Sequence, residues 1–448
     1  MDDEKELAEN KAPENKAPEN KAPVYSQVSI EYIEKQTKKA QKKGLLQGIL
    51  ITFLIFALSA GIITSIKVIT MIKQGTLYSK TMGSLGGDVI DGEFIDKADE
   101  IYALIEKTFL DEFDKEALRE GMYKGMLEAL DDPYSVYYDE KEFAELMEDG
   151  SGEFEGIGAY LQQDPDTMLI TVVRPIKGSP AEAAGILTDD VLATVDGEDI
   201  SGQDINLVVS KIKGPEGTSV EIGVAREGET EILTFNITRA KVETVSVDYE
   251  MKEDNIGYIQ VTEFVDTTAK QFKEAVNDLQ NQGMEKLIID LRSNGGGYVD
   301  ISVEMADMFI KEGVIVSVKD KRGLSYKYED CGDDNYIEIP LVLLVDGNTA
   351  SASEIFTGAL MDYDLCTTIG TKTFGKGITQ DIIPLRDNTG VKITSAKYYS
   401  PKGNNIHGIG IEPDIEVKWD YERYKADKSD NQLEAAIYYL KYGNVEGK

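Results

Sequence analysis

The sequence predicts a multidomain α/β protein, and three observations carry that expectation. At 448 residues the chain is longer than one hydrophobic core usually organises, so about three domains are expected. From 243 to about 430, apolar strand-like runs alternate with amphipathic stretches of helical period, the rhythm of βαβ units around a largely parallel sheet. From Glu93 to Gly150 the apolar residues recur instead at three and four, which is helical.

The first 44 residues belong to none of these bodies. They repeat ENKAP at 9–13, 14–18 and 19–23, carry almost no apolar side chains and balance nine acids with nine bases, so a disordered tail is expected. Beyond them 73 acidic residues face 38 basic ones and account for the whole formal charge of −35. That balance argues against nucleic-acid binding, which needs a basic face, and reads as solubility. Lys35, Lys38, Lys39, Lys42 and Lys43 precede the uncharged run Leu45–Ile66. As a helix its 22 residues would span about 33 Å, enough for a hydrocarbon core of about 30 Å, so a single transmembrane helix is expected. Only Lys67, Lys73 and Lys80 follow nearby, and the positive-inside rule then puts the tail in the cytoplasm and the remainder outside the cell membrane. A cleaved signal ending near Ala57 or Ser59 is the rival, and the continuation of the apolar run past both favours a retained anchor. Residues 67–90, with SLGGD at 84–88, read as a flexible linker.

Active sites of open parallel sheets lie beyond the carboxyl ends of strands, and two strand ends carry candidate chemistry here. After KLIIDLR, the loop from Asp290 to Gly297 ends in Gly295, Gly296 and Gly297, which let the backbone approach a ligand and turn N–H groups toward it. A phosphate loop would need a following GK[ST], which is missing, and the surroundings are acidic. The second strand end opens the stretch Leu341–Gln380. Its first residues form a strand, GNTASAS a tight loop and EIFTGALMDY a helix. Ser353 is expected to cap that helix, which leaves Ser351 just ahead, beside N–H groups with no intrahelical partner that can face an oxyanion. Lys376 follows 25 residues after Ser351, between Gly375 and Gly377. Taken alone, these are a cap and a turn lysine. A lysine can deprotonate a serine if burial holds it neutral, and bringing its pKa from about 10.4 to roughly 7 or 8 costs about 3 to 4 kcal/mol. His407, the sole histidine, is the alternative base for a Ser/His/Asp arrangement.

NTASASEI, FGKGITQ, DLRSNGGG at 290–297 and GIGIEPD at 408–414, in order across about 90–440, resemble the carboxy-terminal processing proteases, a family of Ser/Lys peptidases also called tail-specific proteases. The resemblance implies an α/β (crotonase/ClpP-like) protease core at 243–430, followed by a C-terminal helix at 431–448. It implies Ser351 as nucleophile, Lys376 as base in preference to His407, and Gln380 as the third position that orients the amine. A flat strand would hold Gln380 about 13 Å from Lys376, so the Gly375–Gly377 turn must bend the chain. The oxyanion hole falls to the Ala352 N–H and to the Gly295 or Gly296 N–H. Gly295 stands where the family usually has proline, and Thr349 where it often has serine; the latter change is expected not to matter. No cofactor is implied. Two cysteines and one histidine cannot build a Cys/His zinc site, and no metal is expected; whether Cys331 and Cys366 pair is left open.

GMLEALDDPYSVYYDEKEF is close to the wording of the family's small helical domain, placed here at 91–150, whose amphipathic faces leave a homo-oligomer open. FEGIGAYL, MLITVVRPI, SPAEAAGI, DDVLATVDGEDI and SVEIGVAREGE resemble a circularly permuted PDZ domain, an α+β unit at 154–240. Gly156, Ile157, Gly158 and Ala159 can turn N–H groups toward a carboxylate while the next strand offers an open edge, so the expected partners are proteins or peptides with free C-termini.

Overall fold

The computed structural model describes residues 89–329 and 336–444. The tail, the expected transmembrane run Leu45–Ile66, nearly all of the linker, Cys331 and the last four residues lie outside them. Among the described residues no helix is long and apolar enough to cross a membrane. The chain forms two compact units, divided between Leu110 and Asp111. The described part of the first is one helix, Gly92–Thr108, started by Asp91, whose carboxylate accepts the Phe94 N–H at 2.9 Å.

In the second unit, the core sheet runs Val247–Lys252, Ile256–Val261, Lys286–Asp290, Leu341–Val345, Thr367–Gly370, Ile415–Glu416. Only the first pairing is antiparallel; the others are parallel. Both faces are covered, which is why LVLLV reads as an unbroken apolar run rather than an alternation. Leu341, Leu343 and Val345 point toward helices Thr268–Asn281, Val299–Asp307 and Ala352–Asp362, packing with Phe272, Leu279, Met305 and Phe356. Val342 and Leu344 point the other way, toward Ala435 and Ala436 of helix Asn431–Tyr442. The C-terminal helix therefore closes the second face of the sheet.

A second sheet departs from the expected βαβ rhythm. Val314–Asp320 does not enter the parallel sheet but pairs antiparallel with Ser325–Glu329 and with the long strand Gly390–Tyr399, which also pairs with Ile378–Pro384. Its two ends differ in burial: Ile315 and Val316 are covered on both faces of the strand while Lys319 is exposed. Val136–Tyr138 joins the same sheet through Gly390–Lys392, so the stretch expected as a small helical domain, with a helix stopped at DDPYS, also contributes a strand between helices Lys115–Glu128 and Glu140–Ser151. Three residues are too few to show an alternation.

Between these parts, Ala159–Gln163, Ile170–Pro175, Val191–Val195, Ser219–Ala225 and Leu233–Thr238 form one antiparallel sheet in that order, with helix Ile205–Ile212 packed on it through Val208 and Ile212. Ala159–Gln163 is at the sheet edge.

Candidate active site

The loops after the two central strands of the core sheet are tied together before any catalytic group is placed. Thr349 is fully buried; its hydroxyl donates to the Leu291 carbonyl at 2.9 Å and accepts the Asp346 N–H at 2.9 Å. Asp346 in turn accepts the Ser293 N–H at 3.0 Å. A hydroxyl at position 349, which serine would also supply, therefore joins the two loops.

Ser351 sits at the cap position of helix Ala352–Asp362 with φ 56° and ψ −117°. Positive φ is uncommon for a residue with a Cβ and costs of order 1–3 kcal/mol, so the surroundings must hold it. The Ser351 N–H donates to Glu354 at 3.0 Å, and its carbonyl accepts the Glu354 and Ile355 N–H groups and the Tyr398 hydroxyl. Burial, with the Glu354 charge behind it, keeps the Tyr398 hydroxyl well above its usual pKa and so a donor. The expected cap, Ser353, lies one step inside the helix, and its hydroxyl donates instead to the Asn294 carbonyl at 3.0 Å. The Ala352 N–H, first of the helix, has no acceptor among the described hydrogen bonds.

The glycine loop packs directly on this turn. A Cβ on Gly296, whose φ is +102°, would lie 2.8 Å from the Ser351 Cβ and 2.9 Å from the Ala352 nitrogen, so only glycine fits. Its N–H is not free: the buried Asn294 side chain takes it at 2.8 Å and donates to the Val261 carbonyl at 2.8 Å. The Asn294 carbonyl accepts the Ala350 N–H and the Ser353 hydroxyl. In the same trans peptide the Gly295 N–H points the opposite way, and it has no acceptor among the described hydrogen bonds. Of the two candidate glycines, only Gly295 keeps an unengaged N–H.

The Lys376 backbone is held beside that of Ser351. Gly375, at φ +90°, lies so close to the loop of GIGIEPD that a Cβ would meet the Gly410 nitrogen at 2.7 Å. Glu354, 1% exposed, binds this segment: one carboxylate oxygen accepts the Gly375 N–H at 2.8 Å and the Thr373 hydroxyl at 2.5 Å, and the other accepts the Lys376 N–H at 2.8 Å. That second oxygen is the one holding the Ser351 N–H. One buried carboxylate thus joins the backbones of both candidate residues. The Lys376 amine lies 4.4 Å from the centre of the Tyr134 ring. Burial pushes its pKa below the ordinary lysine value, the nearby Lys392 charge adds to this, and Asp132 opposes it. No hydrogen bond joins the Ser351 hydroxyl to this amine.

Gln380 follows a register shift between Thr379 and Gln380, so the strand is bent, but its amide meets the Thr394 hydroxyl at 3.4 Å rather than Lys376. His407 is exposed, and only its backbone N–H is bonded, to Asn405. Glu354, Asn294 and Tyr134 were not singled out by the sequence. Only the first carried a signal, an acid three residues after Ser351, the spacing at which a helical side chain reaches back to the cap N–H.

In the small antiparallel domain, a groove of about 260 Å³ lies between Gly156–Leu161 and the helix residues Ile205, Val209 and Ile212. Gly156 pairs with Ala240 and Ala159 begins the edge strand. Between them, the Ile157 and Gly158 N–H groups have no acceptor among the described hydrogen bonds, while the Ile157 carbonyl accepts the Ala181 N–H and the Gly158 carbonyl accepts the Ile176 N–H and Ser179 hydroxyl. Lys213 also lines the groove and is paired with Glu148 at 2.6 Å.

A serine on a strained strand-to-helix turn, glycines packed against it and an attached domain with an open-edged groove define a peptidase of the α/β type carrying a peptide-binding module. Residues 255–417 match the model of peptidase family S41, residues 171–226 that of the PDZ domain, and residues 67–142 that of the activating protease CtpB N-terminal domain. The carboxy-terminal processing protease CtpA of Bacillus subtilis is 37% identical over 341 residues, covering 76% of this chain and 72% of that protein. A probable CtpA-like serine protease of Staphylococcus aureus strain N315 is 36% identical over 72% of this chain, which spans 64% of that relative's length. The solved photosystem II D1 C-terminal processing protease aligns at 30% identity with a TM-score of 0.43, over 72% of this chain and 86% of that one. The chain belongs to the carboxy-terminal processing proteases, serine peptidases of family S41 with a PDZ domain.

Proposed function

We propose that this chain is a membrane-anchored endopeptidase that takes substrates by their C-termini and cleaves them with Ser351 and Lys376. The observation carrying this reading is the single Glu354 oxygen that holds the N–H groups of both residues, at 3.0 and 2.8 Å. Such a clamp fixes two backbones in register and leaves one lysine side chain to cover the remaining distance. In the cycle, the neutral Lys376 amine swings from the Tyr134 ring to the Ser351 hydroxyl and takes its proton as the oxygen attacks the scissile carbonyl. The unengaged Ala352 N–H receives the oxyanion. Lys376 returns the proton to the leaving amine, and water then releases the acyl group by the same route in reverse. Gln380, beside Thr394, orients the amine once the substrate has entered.

A substrate C-terminus adds to the edge strand Ala159–Gln163, with its carboxylate on the Ile157 and Gly158 N–H groups and its last side chain in the groove. Leu45–Ile66 anchors the enzyme with its catalytic body outside the cell membrane. The test uses one unfolded peptide with a free and with an amidated C-terminus, incubated with the wild type and with Ser351→Ala. The proposal expects faster cleavage of the free form by the wild type and none by the variant. Equal rates for both peptides remove the C-terminal reading, and turnover by Ser351→Ala removes the nucleophile.

A further inference from the structure

The Lys376 amine faces a residue that precedes the PDZ domain in the chain. Tyr134 belongs to the loop Asp131–Ser135, its ring centre lies 4.4 Å from the amine, and several bonds hold the loop. Asp132 accepts the Tyr134 N–H at 3.1 Å with one oxygen and the Ser135 hydroxyl at 2.6 Å with the other. The Ser135 oxygen accepts the Thr394 N–H at 3.0 Å, and the next residues pair with Gly390–Lys392. Thr394 is also the partner of the Gln380 amide. The loop is therefore built onto the strand beside the base, with the ring carried on it.

We propose that Tyr134 is a positioning residue for the base: its ring walls the Lys376 amine off from water and limits the arc through which it swings toward Ser351. This rests on the Ser/Lys reading above and adds to it a part supplied by the segment that matches the N-terminal domain model. The charges facing the amine are Lys392, from the strand, and Asp132, from the loop; they act in opposite directions, and burial outweighs both. Glu354 binds the Lys376 backbone N–H. An aromatic face also attracts an ammonium ion, so the ring has two effects of opposite sign, and the direction of the measured shift decides between them.

The test is the pH dependence of kcat/KM for peptide cleavage by the full-length chain, since its rising limb reports the base in the free enzyme, where the amine lies under the ring. Tyr134→Ala is expected to move that limb upward by about one pH unit, with roughly tenfold loss at neutral pH recovered at alkaline pH and little change in KM. Tyr134→Phe, which keeps the ring, is expected to match the wild type. If Tyr134→Ala folds poorly by thermal unfolding, Tyr134→Gln, which leaves a polar and hydrated side chain at this half-buried position, carries the same expectation. A limb that stays in place, or moves downward, overturns the proposal. Lys376→Ala in the same assay separates the two levels: an inactive Lys376→Ala beside an unshifted Tyr134→Ala overturns the wall alone, whereas an active Lys376→Ala overturns the dyad and the wall together.

Discussion

Glu354 takes four donors on a carboxylate that is 1% exposed, and two of them belong to the residues proposed for catalysis. Glu354→Gln keeps its shape but turns one acceptor into a donor facing N–H or hydroxyl groups. A buried donor left unpaired costs about 1–3 kcal/mol, so urea unfolding is expected to show a loss of roughly 2 kcal/mol. The loss of register between Ser351 and Lys376 is expected to lower kcat by about a hundredfold with a smaller effect on KM. A glutamine variant with wild-type stability and kcat would show that Glu354 is no clamp. The serine-to-acid spacing was legible in the sequence, yet the cap was assigned to Ser353. Intrinsic capping preference cannot choose between two nearby serines, and here the choice is made by a distant acceptor, the Asn294 carbonyl, that draws Ser353 inward. The engagement of the Gly296 N–H by Asn294 was illegible for the same reason, since it depends on where one side chain points within a fold.

Among the elements, those with both faces buried were the easiest to read. LVLLV and KLIID appear as apolar runs and become the central parallel strands, with helix Ala352–Asp362 following the first of them. Val314–Asp320 and Val136–Tyr138 misled because each is drawn into an antiparallel sheet by the strand Gly390–Tyr399, far away in sequence. A tie that no local pattern reveals is Arg292, which bridges Asp290 at the end of its own strand to Asp430 at 2.7 Å and to Gln432 of the C-terminal helix at 3.0 Å. Asp290 is 1% exposed, so Arg292→Ala leaves a buried carboxylate without its cation. Breaking a buried pair by removing one partner costs about 3–5 kcal/mol. Chemical denaturation of the variant should register a loss of this size, and helix Asn431–Tyr442 should exchange its amide hydrogens faster than in the wild type. A loss below about 1 kcal/mol would mean that this pair does not hold the C-terminal helix to the sheet.

Across the whole molecule, the proposed division of labour is capture at the PDZ edge strand and chemistry at the ends of two core strands, with the loop before Val136 completing the base's pocket. Motif order identified the PDZ and peptidase bodies and both strand ends, because these need particular small residues at particular turns. The lysine's surroundings were not readable, since they are assembled from a loop, a helix and two strands widely separated in the chain. Burial lowers the Lys376 pKa, and activity that depends on the neutral amine should rise with pH through that lowered value and fall away in acid, where the amine is charged. The most direct measurement is peptide turnover by Lys376→Ala and His407→Ala beside the wild type, across pH 6 to 10. The account predicts that His407→Ala keeps most of its activity and the wild-type rise with pH, while Lys376→Ala loses at least about a thousandfold at every pH. Substantial turnover by Lys376→Ala, or a folded His407→Ala without activity, would contradict it.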